Sequence, residues 1–355
     1  MKNIAIKLSI ILLIIITITL SIINIDNTKA TPKTLVQTVI DLSQGDTYTE
    51  GNGNGVYYTN SHEYRYVGGE VNNYVKFNDD MYRIIGVFDS NTHGIANTWL
   101  VKLISANKLI SAAWGVRNTS ASSYATYENY SNDWTGNTTG VPASANILLN
   151  TYYLNPTSTS NYGECINLTY GSNNDLYKSK NCSNIKGYGI QTTNLRNYIE
   201  DGITWYLKGL TGNGNTKQAF YTCERSDSTT VTNCYAGGTS SGGYYDTKIK
   251  DSNLKIGLMY ASDYLYASGY IASADTSTLA SSSKYMNSNW LYNGLEWTIT
   301  PIGNNATSAF YVDSAGRVYN GHAYFGRGLR PTFYLKSTIK IKSGTGTFAN
   351  PYIIG

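Results

Sequence analysis

Tyr74-Val-Lys-Phe-Asn-Asp-Asp-Met-Tyr-Arg-Ile-Ile-Gly-Val-Phe88 consists of two β-rich runs joined at Asn78-Asp79-Asp80. Turn-forming residues between two such runs predict a β-hairpin. Trp99-Leu-Val-Lys-Leu-Ile-Ser105 supplies a third run and extends the hairpin to a meander. Short strand-like segments recur downstream at Ile203–Leu207, Ala219–Thr222, Leu254–Tyr260, Leu295–Thr300, Ser308–Asp313, Arg317–Tyr319 and Arg330–Leu335, with Asp313-Ser-Ala-Gly316 as a turn between two of them. Two segments read as helices. Ala145–Leu154 carries apolar residues at helical spacing, and Thr193–Asp201 has a threonine for a cap and Gly202 as a stop. Many short strands with few short helices and long polar loops predict an α+β fold dominated by antiparallel sheet.

Toward the N-terminus, Lys2 and Lys7 precede an apolar run from Leu8 to Ile23, and the chain turns polar at Asn24, Asp26 and Lys29. This is the pattern of an export leader. Thr28-Lys29-Ala30 offers a small residue for cleavage after Ala30, and residues 8–23 act as a membrane anchor if the leader is kept. Residues 1–30 are thus a signal peptide or anchor. Residues 31–65, with Gly51-Asn-Gly-Asn-Gly55 in their middle, read as a polar approach segment. Residues 66–355 read as a single domain with a loop-rich insertion at about 117–190, dominated by Ser, Thr, Asn, Tyr and Gly.

Charged residues make up 14% of the chain, against roughly 25% in an ordinary globular protein. Solubility therefore rests on amides, hydroxyls and phenols. A net charge of +4 without a cluster of Lys or Arg leaves no electrostatic footprint for nucleic acid. The chain holds 33 Tyr beside 7 Phe and 6 Trp, and Tyr mixed with Ser, Gly and Asn is the composition of recognition surfaces. AT-rich coding produces the same bias, so composition leaves both explanations open.

Four cysteines in an exported chain read as disulfides, with Cys165–Cys182 and Cys223–Cys234 as the sequence-local pairing. No C-x-x-C spacing marks a zinc site, and His62, His93 and His322 lie in three separate contexts. No metal site or cofactor is expected. Paired carboxylates for glycosidase chemistry would have to come from Asp79-Asp80, Asp263 and Glu296, whose spacing does not single them out. Asp263 follows an apolar run, where Asp caps a helix or turn. Arg330, entering the last core strand, is expected to pair with Glu296, and Trp297 inside a strand pattern reads as core. Trp290 and Tyr292, bordered by Asn289 and Asn293, form the expected ligand-binding set, because aromatic faces flanked by amides suit the C–H faces and hydroxyls of a sugar ring.

Five segments in order resemble a family of functionally uncharacterised exported domains of Gram-positive-type bacteria. They are Val75–Phe88, Lys255-Ile-Gly-Leu-Met-Tyr-Ala-Ser-Asp-Tyr264, Trp297-Thr-Ile-Thr-Pro301, Gly328-Leu-Arg-Pro-Thr-Phe-Tyr-Leu-Lys-Ser337 and Gly344-Thr-Gly-Thr-Phe-Ala-Asn-Pro-Tyr352. The closing order of Trp, Pro, then Gly-Leu-Arg-Pro before an apolar strand is also similar at the fold level to C-type-lectin-like domains and to formylglycine-generating enzymes. The resemblance to C-type-lectin-like domains implies a C-type-lectin-like sheet fold. The chain departs from calcium-dependent lectins in lacking Glu-Pro-Asn, Gln-Pro-Asp and Trp-Asn-Asp triplets, and from the formylglycine-generating enzymes in lacking a closely spaced C-terminal cysteine pair. The expected role is a surface or secreted recognition and adhesion module that binds a surface glycan or protein ligand without calcium. A structural subunit of a surface assembly and a hydrolase of surface polymers are the alternatives.

Overall fold

A computed structural model describes residues 32–45, 53–59, 63–77, 79–115, 132–136, 142–156, 167–170, 176–179, 189–210, 215–226, 234–235, 250–252, 254–270, 282–303 and 305–355. The leader, its cleavage point, His62 and the Cys165–Cys182 pair lie outside these residues. Among the described residues, no helix is long and apolar enough to cross a membrane. The fold is mixed α+β with strands in the majority.

The expected meander is present. β3 (Tyr74–Phe77) and β4 (Asp80–Phe88) pair antiparallel from Tyr74 opposite Arg83 to Phe77 opposite Asp80. Asp79 takes a left-handed conformation at φ 61°, which a short polar side chain tolerates. β5 (Leu100–Ser105) continues against β4 through an irregularity between Ile84 and Gly86. A Cβ at Gly86 would lie 2.3 Å from the Tyr64 carbonyl oxygen, so only glycine lets β2 (Glu63–Val67) close on β4. β1 (Gly55–Thr59) pairs with β2, and β17 (Thr332–Leu335) pairs with β5. On the other side of β3, β19 (Tyr352–Ile354) pairs parallel and then carries β18 (Ile341–Ser343) antiparallel.

The second sheet runs in the order β15-β14-β13-β16-β6. Its strands are β6 (Ile110–Ala112), β13 (Glu296–Pro301), β14 (Ser308–Val312), β15 (Val318–His322) and β16 (Arg327–Leu329). Short antiparallel pairs join β7 (Asn167–Tyr170) to β8 (Leu176–Ser179), β9 (Trp205–Tyr206) to β12 (Lys250–Asp251), and β10 (Gly209–Leu210) to β11 (Cys234–Tyr235).

Several expectations are corrected. The folded unit starts at Thr34, not at 66. Thr34 caps the helix Leu35–Asp41, Leu35 and Val39 are buried in the core, and the Leu35 amide donates to the Ile339 carbonyl. Val56-Tyr57 is a core-facing strand despite the glycine-rich run before it. Ala219–Thr222 lies in a helix, Lys217–Cys223, because the Thr216 hydroxyl caps the Ala219 amide and Phe220 and Cys223 are buried three residues apart. Leu254–Tyr260 forms no strand but a single bridge, Gly257 to Thr332, and leads into a helix, Ala261–Ala267.

The two expected helices are present but altered. Ser144–Ile147 is α-helical and passes into a π-helical turn at Leu148–Tyr153. The second covers only Thr193–Arg196, and its cap is Thr192. Within the stretch read as an insertion, Trp134, Leu149 and Tyr153 are core residues. Asn150 explains the site of the π-turn. Its side-chain oxygen accepts from the Lys255 and Ile256 amides and its nitrogen donates to the Ile256 carbonyl, tying the turn to the chain before helix Ala261–Ala267.

Candidate functional site

Of the expected ligand-binding set, Trp290 and Asn289 are buried, while Tyr292 and Asn293 are half-buried. Trp290 is 5% exposed. Its indole donates to the Tyr66 carbonyl at 2.8 Å, and its ring lies 4.6 Å from the Arg83 guanidinium. Asn289 is buried and saturated. Its nitrogen donates to the Tyr264 and Tyr285 carbonyls and its oxygen accepts from the Leu291 amide. Tyr292 donates to the Ser314 carbonyl at 2.7 Å, and Asn293 donates to the Ala106 carbonyl at 3.3 Å. The amides that read as a polar border satisfy backbone groups that burial would otherwise leave unpaired.

Arg330 and Glu296 meet as expected. Arg330 Nε donates to Glu296 Oε2 at 2.5 Å, and Nη2 donates to Oε1 at 2.7 Å and to the Leu291 carbonyl at 2.6 Å. Burial raises the Glu296 carboxyl above its ordinary range, while Arg330 opposes the shift. Trp297 is core, with its indole donating to the Ala112 carbonyl at 3.1 Å. Of the carboxylates weighed for hydrolysis, Asp80 is half-buried at the start of β4, opposite Phe77. Asp263 and Glu296 are each committed to cations, and Asp79 sits exposed at the hairpin turn near Lys76.

Asp263 does cap its helix, accepting from the Tyr260 amide at 2.9 Å. It is also the centre of a buried ion cluster that was not legible beforehand. Lys102 Nζ donates to its Oδ2 at 2.6 Å, and Arg65 Nη1 donates to its Oδ1 at 3.0 Å. Arg65 also bonds Glu63 at 2.8 Å, and Arg225 lies 3.6 Å from Glu63 and 3.4 Å from Glu224. Glu224 in turn accepts from the Thr300 hydroxyl at 2.5 Å, and Glu63 from Thr92.

Three cations, Arg65, Lys102 and Arg225, thus face three carboxylates, Glu63, Glu224 and Asp263. Aromatic rings wall the cluster, with Lys102 Nζ 4.4 Å from the centre of Tyr260 and Arg225 4.4 Å from that of Tyr221. Despite burial, Lys102, Arg65 and Arg225 hold the Asp263 carboxyl well below the usual carboxylate range. Burial lowers Lys102 to about 8 and raises Glu224 to about 6. Buried, and with three charges of each sign among the described residues, the cluster joins β2, β5, the segment after helix Lys217–Cys223 and helix Ala261–Ala267.

His93 is buried, its ring bonded to Phe88 and Ile95, and burial lowers it to about 4. Among the described residues, no three His, Cys, Asp or Glu side chains converge to hold a metal ion.

A partly open aromatic array lies on the second sheet. Register sets Trp297 opposite Tyr311 and Tyr311 opposite Tyr319, so three rings cross three adjacent strands on one face. Their centroids are 5.6 Å and 6.4 Å apart, with the rings edge to face. Tyr319 is 39% exposed and Tyr311 half-buried. The Arg327 guanidinium lies 3.5 Å from the Tyr311 centroid, 4.6 Å from that of Trp297 and 5.2 Å from that of Phe325. Tyr324 packs on Phe325 at 4.5 Å and stacks with His322 at 5.4 Å, all three half-buried.

Gly321, two residues beyond Tyr319 on the same face, makes room for the arginine, since a Cβ there would lie 2.8 Å from Arg327 Nη2. The stretch Tyr319-Asn-Gly-His-Ala-Tyr-Phe-Gly-Arg327 carries most of this site, and its aromatic density was the signal available in the sequence. No family model, curated protein or solved structure matches this chain.

Proposed function

We propose that this protein is an exported recognition module, displayed on the cell surface or secreted, which binds a surface glycan through the aromatic face of the second sheet without calcium and without catalysing a reaction. The observation that carries this reading is the pair Tyr311 and Tyr319, backed by the buried Trp297 and with Tyr324 and Phe325 beside it, open to solvent at Tyr319. Rigid rings with polar edges offer contact area at little entropic cost, and sugar rings present C–H faces that stack on them. The Cys223–Cys234 disulfide, with Cα atoms 5.2 Å apart, supports export to an oxidising compartment. A C-type-lectin-like architecture is part of the proposal, supported by the meeting of the unit's first and last segments at Thr34 and Lys340 and by the long polar stretches between sheets.

Affinity electrophoresis of the full protein in gels containing surface polysaccharides tests it. Tyr319→Ala is expected to weaken retardation about three- to tenfold, the worth of one aromatic contact, with EDTA having no effect. Retardation unchanged in Tyr319→Ala and Tyr311→Ala would remove the aromatic face from the proposal, and retardation lost in EDTA would remove calcium independence.

A further inference from the structure

Arg327 is the odd member of the aromatic face. Burial of a guanidinium calls for a carboxylate or a full set of acceptors, yet Arg327 is 8% exposed, and its Nε has no hydrogen-bond partner. Among the described residues, no carboxylate lies within ion-pair distance of it. Asp313, the acid that acts on it from further away, is bound to Arg317 at 2.7 Å. The neighbouring charged strand-end pair, Glu296 with Arg330, is closed on itself. Burial accordingly pushes the Arg327 guanidinium below its ordinary value.

Ring contacts compensate part of this cost, because cations sit favourably over aromatic faces. A hydrogen bond to the Tyr311 side chain takes up one donor, Nε is left without a partner, and no donor has an anion, the partner that an arginine fork matches in a carboxylate. Gly321 is the half-buried residue against the guanidinium's outer nitrogen, so the cover at that point is backbone without a side chain. The rings beside it supply the wall against which a sugar can stack while its acid group meets the arginine.

We infer that the aromatic face takes an acidic sugar, with Arg327 receiving the ligand's carboxylate and Tyr311, Tyr319 and Phe325 packing against its ring. This rests on the recognition reading above and adds the charge of the ligand to it. A chain with a net charge of +4 is compatible with such a polymer.

The test compares polygalacturonate with its fully methyl-esterified form, the same backbone with its charge removed, and with inorganic polyphosphate as an anion without a sugar. Binding of the full protein is measured by titration calorimetry at about 0.15 M salt, where long-range attraction is screened. Polygalacturonate is expected to bind about tenfold or more tightly than the ester, the worth of a charge-assisted fork, and more tightly than polyphosphate. Arg327→Gln and Arg327→Lys are each expected to erase the preference while leaving residual binding to the ester, with thermal melts confirming that the variants fold.

Equal affinity for polygalacturonate and its ester overturns the acidic-sugar inference and leaves glycan recognition standing. Equal affinity for polyphosphate overturns the sugar class. Failure to bind either polysaccharide, together with failure on neutral surface polymers, overturns both. The wild-type comparison decides these outcomes even if an Arg327 variant fails to fold.

Discussion

Replacing Asp263 by Asn removes the centre of the buried ion cluster while keeping its shape and its ability to accept from the Tyr260 amide. Three cations then face two carboxylates. The least costly route back to neutrality is to discharge Lys102, which burial already lowers to about 8. From about 8 in the fold, discharging it at pH 7 costs about 1–2 kcal/mol, and the stabilisation by which the cations hold the Asp263 carboxyl low is lost as well, together in line with the roughly 3–5 kcal/mol of a broken buried ion pair. Lys102→Met leaves the opposite imbalance, two cations against three carboxylates, but Glu224 is already raised to about 6. Protonating it at pH 7 costs only about 1–2 kcal/mol, and the ammonium no longer has to be desolvated.

The variants are therefore unequal. Asp263→Asn is expected to lose about 3–5 kcal/mol and Lys102→Met no more than about 2. The double variant is expected to lose at least about 1 kcal/mol less than the two together, since neighbours in one network are coupled. Urea unfolding followed by tryptophan fluorescence measures all three. With an m-value of about 3 kcal/mol per molar, Asp263→Asn should lower the midpoint by about 1 M or more. At pH 9.5 its deficit should shrink by about 1–2 kcal/mol, because Lys102 is then discharged at little cost. Additive losses, a Lys102→Met loss as large as that of Asp263→Asn, or a deficit constant with pH would refute the reasoning.

Glu224, raised to about 6 from 4.5, binds more protons folded than unfolded between those values, so it lowers stability as pH rises from 4.5 to 6. Glu224→Gln should abolish that slope, on the order of 2 kcal/mol, in urea midpoints measured across the interval. Arg330→Met strands Glu296 and should cost about 3–5 kcal/mol, and Arg330→Lys should recover only part of it in thermal melts because an ammonium lacks the fork. Trp290→Ala should destabilise by about 3–5 kcal/mol through the cavity it leaves, while the folded fraction binds polysaccharide as tightly as wild type. Replacing both Cys223 and Cys234 by Ser should cost about 3 kcal/mol for a loop of 11 residues, read as a lower melting temperature.

The meander was legible because its information is local, with β-rich runs and a turn lying side by side at 74–88. The Arg330–Glu296 pair was legible because the two residues stand 34 positions apart on neighbouring strand ends. The ion cluster was not, because its central contacts join residues 198 and 161 positions apart, and the sequence showed only scattered charges. Helix Lys217–Cys223 was hidden by the β-favouring run Ala219-Phe-Tyr-Thr222. A threonine cap and burial of one helical face overrode that preference, as tertiary context does. Trp290 was misplaced for a related reason, since asparagines read as solvent-facing serve buried backbone. The aromatic face emerged only when register aligned three strands and Gly321 admitted Arg327.

Tyr352–Ile354 occupy an interior position in the first sheet, between β3 and β18. Until this strand is in place, β3 keeps a bare margin of amide and carbonyl groups able to zip onto any extended neighbour. The first sheet is thereby closed through contacts between residues far apart in the chain, and such long-range closure is slow. Displacing this one strand would leave a self-adhesive margin instead of a slightly smaller sheet.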